Sequence, residues 1–153
     1  MKNNPFNFYV DFTSVDKMKD KVKILLVDDD PIVILLQKKL MEKAGLTDEV
    51  ETFSNGEDAI AYLIKNVGKH EDYLLFLDIN MPGLTGWDVL DTLGEMELSA
   101  NLTVIIITSS IEQAEREKSK TYPEVMDFWI KPFSINDFLN LKDEPHLLRF
   151  FKD

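Results

Sequence analysis

The feature that most constrains the fold is a repeated exchange between two hydrophobic patterns. The runs VKILLV (22–27), YLLFL (73–77) and TVIII (103–107) are almost wholly apolar. A strand covered on one face alternates apolar and polar residues, whereas a strand apolar throughout is covered on both. Shorter runs, EVETF (49–53) and DFWI (127–130), complete five strand-like segments. Between and after them lie stretches of helical period, so the chain reads as consecutive strand–helix units around a parallel sheet. The expected class is doubly wound α/β, a five-stranded sheet with helices on both faces. In such sheets ligands bind beyond the carboxyl ends of the strands, where strand order reverses.

Start and stop signals bound the helices. Asp30 precedes Pro31, which reads as an N-cap followed by proline in the first turn. Ile32, Leu35, Leu36, Lys39, Leu40 and Lys43 follow, with Gly45 as the stop. In SNGEDAIAYLIKN (54–66), Ala59, Ile60, Leu63 and Ile64 form the apolar side. A third helix is expected near Trp87–Met96 and a charged one near Glu112–Lys120. The last opens at Ser134 with Asp137 three residues on, and Pro145 is expected to end or kink it. Trp87 and Trp129 read as packing residues.

Composition narrows the function. With 153 residues, 44% hydrophobic, the chain suits one core; residues 1–20 show no helical or strand period and read as an extension, 21–144 as the domain and 145–153 as a tail. The 28 acidic against 17 basic residues give a net charge of −11, which disfavours direct nucleic-acid binding. There is no cysteine, so thiolate catalysis and cysteine metal sites are excluded. No apolar run approaches the roughly 20 residues that cross a bilayer, and the N-terminus lacks a signal-peptide core. A cytoplasmic location with no membrane partner is expected.

The strand ends carry the chemistry. Asp28, Asp29 and Asp30 follow the first strand, Asp78 ends the third, Thr108 the fourth, and Lys131 follows the fifth. Taken singly, an aspartate there fits a cap or a solvated turn. Together, converging carboxylates repel one another and call for protons or a cation. With oxygen donors and no competing His or Cys, the fitting cation is hard; Mg2+ takes one or two carboxylates and leaves a position for phosphate oxygen. Thr108 and Lys131 would supply the donor and charge that a phosphoryl group needs, and a free carboxylate could attack phosphorus to form an acyl phosphate.

The motifs LLVDDDP, LLFLDINMPGLTG, VIIITSS and FWIKPF, over about Lys21–Leu141, resemble the response-regulator receiver domain of two-component signalling. Intervals of 50 residues from Asp28 to Asp78, 30 to Thr108 and 23 to Lys131 carry the likeness. The resemblance implies a flavodoxin-like sheet of order 2-1-3-4-5 and Asp78 as phosphoacceptor. It makes Asp28, Asp29, Asp78 and the backbone oxygen of Asn80 the Mg2+ ligands, with Thr108 and Lys131 on the phosphoryl group. Lys131–Pro132 would be cis, and Thr108 with Phe128 the switch that remodels the face of helix four, strand five and helix five. The implied partners are a sensor histidine kinase or histidine phosphotransfer protein upstream and an unknown protein downstream; the chain would be a monomer or weak dimer. It would be no enzyme beyond slow self-dephosphorylation, tuned by Asn80 and Ser110, and Ser110 could equally cap the fourth helix.

With one helix and a tail after Lys131, the chain is expected to act alone as an output switch or a relay. KTYPEVMD departs from the family's small-residue turn before strand five. His70 and His146 read as surface residues, and the N-terminal aromatics Phe6, Phe8, Tyr9 and Phe12 as part of a tail. The competing reading is a phosphatase of the haloacid-dehalogenase type, echoed by VDDDPI, which leaves Asp78 without a role.

Overall fold

The computed structural model describes residues 22–46, 49–66, 72–97 and 101–147. The N-terminal aromatics, His70 and the side chain of His146 lie outside the described residues. Five strands, β1 (Val22–Val27), β2 (Val50–Phe53), β3 (Asp72–Asp78), β4 (Leu102–Thr108) and β5 (Val125–Ile130), stand where the apolar runs predict. They form one sheet in the order β2-β1-β3-β4-β5, and every neighbouring pair is parallel. The expected strand order is therefore the observed one.

The helices are α1 (Pro31–Lys43), α2 (Gly56–Lys65), α3 (Gly86–Glu95), α4 (Gln113–Ser119) and α5 (Ile135–Leu141). Because strand side chains alternate, Leu25, Val27, Leu75, Leu77, Val104 and Ile106 pack on one side with α2 and α3. Ile24, Leu26, Leu74, Phe76, Ile105 and Ile107 pack on the other with α1 and α5. Both faces of the central strands are covered, which is why their sequence shows no polar alternation.

Local signals act as expected at several ends. Asp30 Oδ1 accepts from Ile32 N–H at 2.9 Å, capping α1. At its other end Gly45 takes φ +76, Leu46 N–H donates to Met41 O and Gly45 N–H to Glu42 O, a Schellman stop. Asp137 accepts from Ser134 N–H at 2.7 Å ahead of α5. A capping box of Thr85 and Asp88, not read from the sequence, starts α3.

Three expectations, for Ile64, Pro145 and Ser110, need correction, and the structure settles which side of α1 faces inward. Ile32, Leu35 and Leu36 are exposed, while Gln37, Met41 and Ala44 face the core, because a polar residue occupies the middle of the inward stripe and disguises its period. Ile64 is likewise exposed, the buried side of α2 ending at Leu63. α5 stops at Leu141, and Pro145 instead opens a 3-10 turn over Pro145–Leu147. Ser110 is not the cap of α4: it accepts from Glu112 N–H at 3.2 Å, and Glu112 is the cap position.

The departing KTYPEVMD loop is anchored by its tyrosine. Tyr122 stacks on Trp87 at 5.7 Å between ring centroids, and its hydroxyl donates to Asp91 Oδ1 at 2.8 Å. Burial, then the Asp91 bond, pushes the phenol up to about 12. Lys118 Nζ sits 4.8 Å over the Trp87 ring, so this cluster ties α3 to α4 and to the entry of β5. Tyr122→Phe keeps the stack and loses the bond; a loss of about 1 kcal/mol in urea unfolding is expected. Trp129 packs on Phe76, Phe133 and Phe138, the packing role assigned to it.

Candidate functional site

In a parallel sheet all carboxyl ends lie along one edge, and here β1, β3, β4 and β5 are successive neighbours. That order alone brings the residues after them into one crevice. Asp28 follows β1 and is fully buried; its Oδ1 accepts from Asp30 N–H at 2.9 Å and its Oδ2 receives Lys131 Nζ at 2.7 Å. Asp78 ends β3 at 3% exposure; its Oδ1 accepts from Asn80 N–H at 3.1 Å and its Oδ2 lies 3.5 Å from the same ammonium. Asp29 is exposed, at the mouth. Lys131 N–H donates to Thr108 O at 2.7 Å, fixing the chain after β5 against β4, and the Lys131–Pro132 peptide is cis as expected.

Asp28, Asp29 and Asp78 each offer a carboxylate oxygen within 4.8 Å of the others. Burial pushes Asp78 up to about 6, and Asp28 and Asp29 add repulsion; the Asn80 N–H bond and Lys131 pull the other way and are outweighed. Among the described residues one ammonium, Lys131, pairs with Asp28 and Asp78, which leaves the three carboxylates with a surplus of negative charge carried on oxygen donors. Such a set fits a hard divalent ion such as Mg2+. Protons compete with a cation for Asp78, so Mg2+ affinity should fall about tenfold between pH 8 and pH 5. Calorimetric titration at the two pH values checks this, and equal affinity would remove Asp78 from the ligand set.

Thr108 is buried at the end of β4, and its Oγ1 accepts twice, from the Asn80 side-chain amide at 3.1 Å and from Ser110 N–H at 3.0 Å. With both lone pairs engaged, the hydroxyl keeps its proton as a donor for the crevice. The sequence gives Asn80 a backbone oxygen for the metal and a part in dephosphorylation; its side chain's hold on Thr108 has no signal there, since it depends on the spacing of β3 and β4. Phe128 stands apart from the crevice. It is 7% exposed, registers with Ile106 as Ile130 does with Thr108, and so shares the sheet face of Thr108 one pleat repeat away. The Arg116 guanidinium lies 4.9 Å over its ring, a contact with no signal in the sequence.

A family model described as the response regulator receiver domain matches residues 24–142. The chain belongs to this receiver family. Among curated relatives, "Probable methanogenesis regulatory protein FilR2" of Methanothrix harundinacea is 25% identical over 90% of both chains. The nitrate/nitrite response regulator protein NarL of Escherichia coli is 34% identical over 61% of this chain and 42% of its own length. The hybrid signal transduction histidine kinase L of Dictyostelium discoideum is 32% identical over 71% of this chain but 6% of its own length. The chain thus spans nearly all of FilR2 and a part of the other two. Among solved structures, the two-component response regulator of Cytophaga hutchinsonii has TM-score 0.71 and 26% identity, covering 81% of this chain and 96% of that one. The response regulator receiver protein of Dyadobacter fermentans has TM-score 0.71 and 25% identity, covering 86% and 99%. Receivers are the phosphoacceptor modules of two-component signalling and typically bind Mg2+ at an acidic pocket, and this receiver has the acidic cluster.

Proposed function

We propose that this receiver accepts a phosphoryl group on Asp78 from the phosphohistidine of a sensor histidine kinase or histidine phosphotransfer protein. The observation that supports it best is the buried Asp78 carboxylate, opposed by Asp28 and Asp29 and 3.5 Å from the Lys131 ammonium. A carboxylate oxygen of Asp78 attacks phosphorus, the P–N bond breaks, the imidazole leaves, and an acyl phosphate results. Mg2+ held by Asp28, Asp29, Asp78 and the Asn80 carbonyl would supply charge neutralisation on the phosphoryl oxygens. Lys131 would balance charge on the phosphoryl group, and the Thr108 hydroxyl would donate to one of its oxygens.

In this reading Thr108 shifts toward the phosphoryl group and Phe128 repacks, remodelling the α4–β5–α5 face for a downstream protein or for onward relay. The receiver unit is assigned to 21–144, with 1–20 an extension and 145–153 a tail. The regulator is taken as single-domain. The net charge of −11 speaks against direct nucleic-acid contact, and a cytoplasmic monomer or weak dimer fits a partner kinase. Self-dephosphorylation is slow.

The test is incubation with acetyl phosphate and Mg2+ followed by intact mass. One added phosphoryl group, released by hydroxylamine and not formed when Mg2+ is chelated, is expected; none, or one that hydroxylamine leaves in place, sinks the proposal. Repeated turnover of a small phosphate ester would favour the phosphatase reading instead. Asn80→Ala releases the Thr108 hydroxyl while keeping the backbone carbonyl. Loading should slow several-fold while Mg2+ affinity stays within about twofold, measured by mass and calorimetry.

A further inference from the structure

Helix α4, QAEREKS, is held to the fold unlike the other helices. α1, α2, α3 and α5 each send apolar side chains into the core, Met41, Leu63, Leu93 and Phe138 among them, whereas no residue of α4 belongs to either core cluster. Its buried residue is Ser119, whose hydroxyl donates to Arg116 O of the same helix at 2.6 Å. In place of an apolar stripe α4 sets two cations on aromatic faces: Arg116 at 4.9 Å over Phe128 of β5 and Lys118 at 4.8 Å over Trp87 of α3. The docked position also carries a cost, because Glu115 Oε1 is buried without a hydrogen-bond donor among the described residues. Apolar contact has no direction, so an apolar stripe tolerates a turned ring beneath it; a cation is attracted by the face of a ring and not by its edge.

We propose that Arg116 is the positioning residue that makes α4 follow the Phe128 ring. With the guanidinium over the ring face α4 stays docked; when the ring turns, that hold is lost, the Glu115 carboxylate regains water, and Lys118 on Trp87 remains as the pivot. Phe128 shares the sheet face of Thr108, so this contact joins the crevice to the outer helix through one side chain. The event that turns the ring rests on the reading of Asp78 as phosphoacceptor; the hold of Arg116 on the ring does not.

The first arm of the test uses unmodified protein without Mg2+ or phosphodonor, so it is decided whatever Asp78 does. Phe128 is replaced site-specifically by mono-, di- and trifluorophenylalanine, which draw electron density from the ring face at nearly constant shape. Hydrogen exchange of residues 113–119 should rise stepwise, about three- to fivefold over the series, while β1 and β3 exchange as before. In Arg116→Met, which keeps an apolar stem and removes the cation, exchange should start at the high end and the series should be flat; Arg116→Lys should restore part of the slope. A flat series in the wild type, or a slope retained in Arg116→Met, would overturn the proposal. The second arm adds acetyl phosphate and Mg2+ and follows loading by intact mass. Wild type and Arg116→Met should load alike and change exchange alike in β5, but the change in α4 should be at least about threefold smaller in the variant. Equal α4 responses would also overturn the proposal, whereas a missing phosphoryl mass counts against the reading of Asp78 and leaves the first arm to decide the role of Arg116.

Discussion

Asp78→Asn should abolish phosphoryl uptake and, in the same protein, raise stability at neutral pH without Mg2+. The first effect follows if the amide oxygen cannot form the acyl phosphate. The second follows from the carboxyl group being held at about 6, above its ordinary 3.8, chiefly by burial. A carboxyl raised on folding binds its proton more tightly in the native state. Its contribution is therefore complete below about pH 4 and is lost as pH rises through 6. At pH 7–8 the charged Asp78 opposes folding, and a neutral side chain of the same shape removes that opposition. Allowing for solvent at the mouth of the crevice, the gain is on the order of 1–2 kcal/mol, a few degrees in Tm. The gain should vanish near pH 4, where both side chains are neutral, and shrink in saturating Mg2+, which stabilises only the protein with the full carboxylate set. Thermal scans at two pH values, with and without Mg2+, check all three statements; a variant less stable than wild type at pH 8 would show that the cluster is relieved by something other than protonation.

Gly86→Ala should be among the most damaging single-methyl additions in the chain. A Cβ at Gly86 would lie 2.6 Å from Ile79 Cα, 2.7 Å from Asp78 O and 2.8 Å from Ile79 Cγ2. Two of those atoms are backbone, so the start of α3 must back away from the end of β3 and strain the Gly86 N–H to Ile79 O bond of 3.1 Å. The cost should be about 2–4 kcal/mol. Because the displaced atoms belong to Asp78 and the residue after it, Mg2+ affinity and phosphoryl loading should fall together with stability. Gly94 in the same helix is the control: nothing lies within 4 Å of its added Cβ. Gly94→Ala should stabilise by about 0.5–1 kcal/mol and leave the site unchanged. Urea unfolding and Mg2+ titration of the pair check this, and equal stability of the two variants would refute the packing argument.

Much of this molecule is legible from local pattern. Strands covered on both faces must be apolar throughout, so VKILLV, YLLFL and TVIII declare themselves, and parallel order carries Asp28, Asp78, Thr108 and Lys131 to one edge. Caps depend on the next two or three residues, and Asp30 is legible in that way, whereas Thr85 and Glu112 are not. What local pattern misses is set by register between distant segments. Gln37 faces inward because α1 packs on β1 and β3 through Ile34, Met41 and Ala44, whatever its own polarity. The Asn80 amide reaches Thr108 across 28 positions of sequence, and Arg116 meets Phe128 only once α4 lies over β5. Tyr122 replaces a small turn residue because Trp87 and Asp91 on α3 give its ring and hydroxyl a place.

The double acceptance at Thr108 has a consequence for what the receiver can sense. A hydroxyl whose oxygen is already saturated by two N–H groups has nothing to offer a metal ion, and can respond only to an incoming oxyanion. Metal loading and phosphoryl loading thus reach the same crevice but address different atoms. If Asp78 is phosphorylated as proposed, Mg2+ meets the carboxylates and only the phosphoryl oxygens meet the Thr108 hydroxyl directly, so the two loadings would touch Thr108 by different routes, the metal only through Asn80.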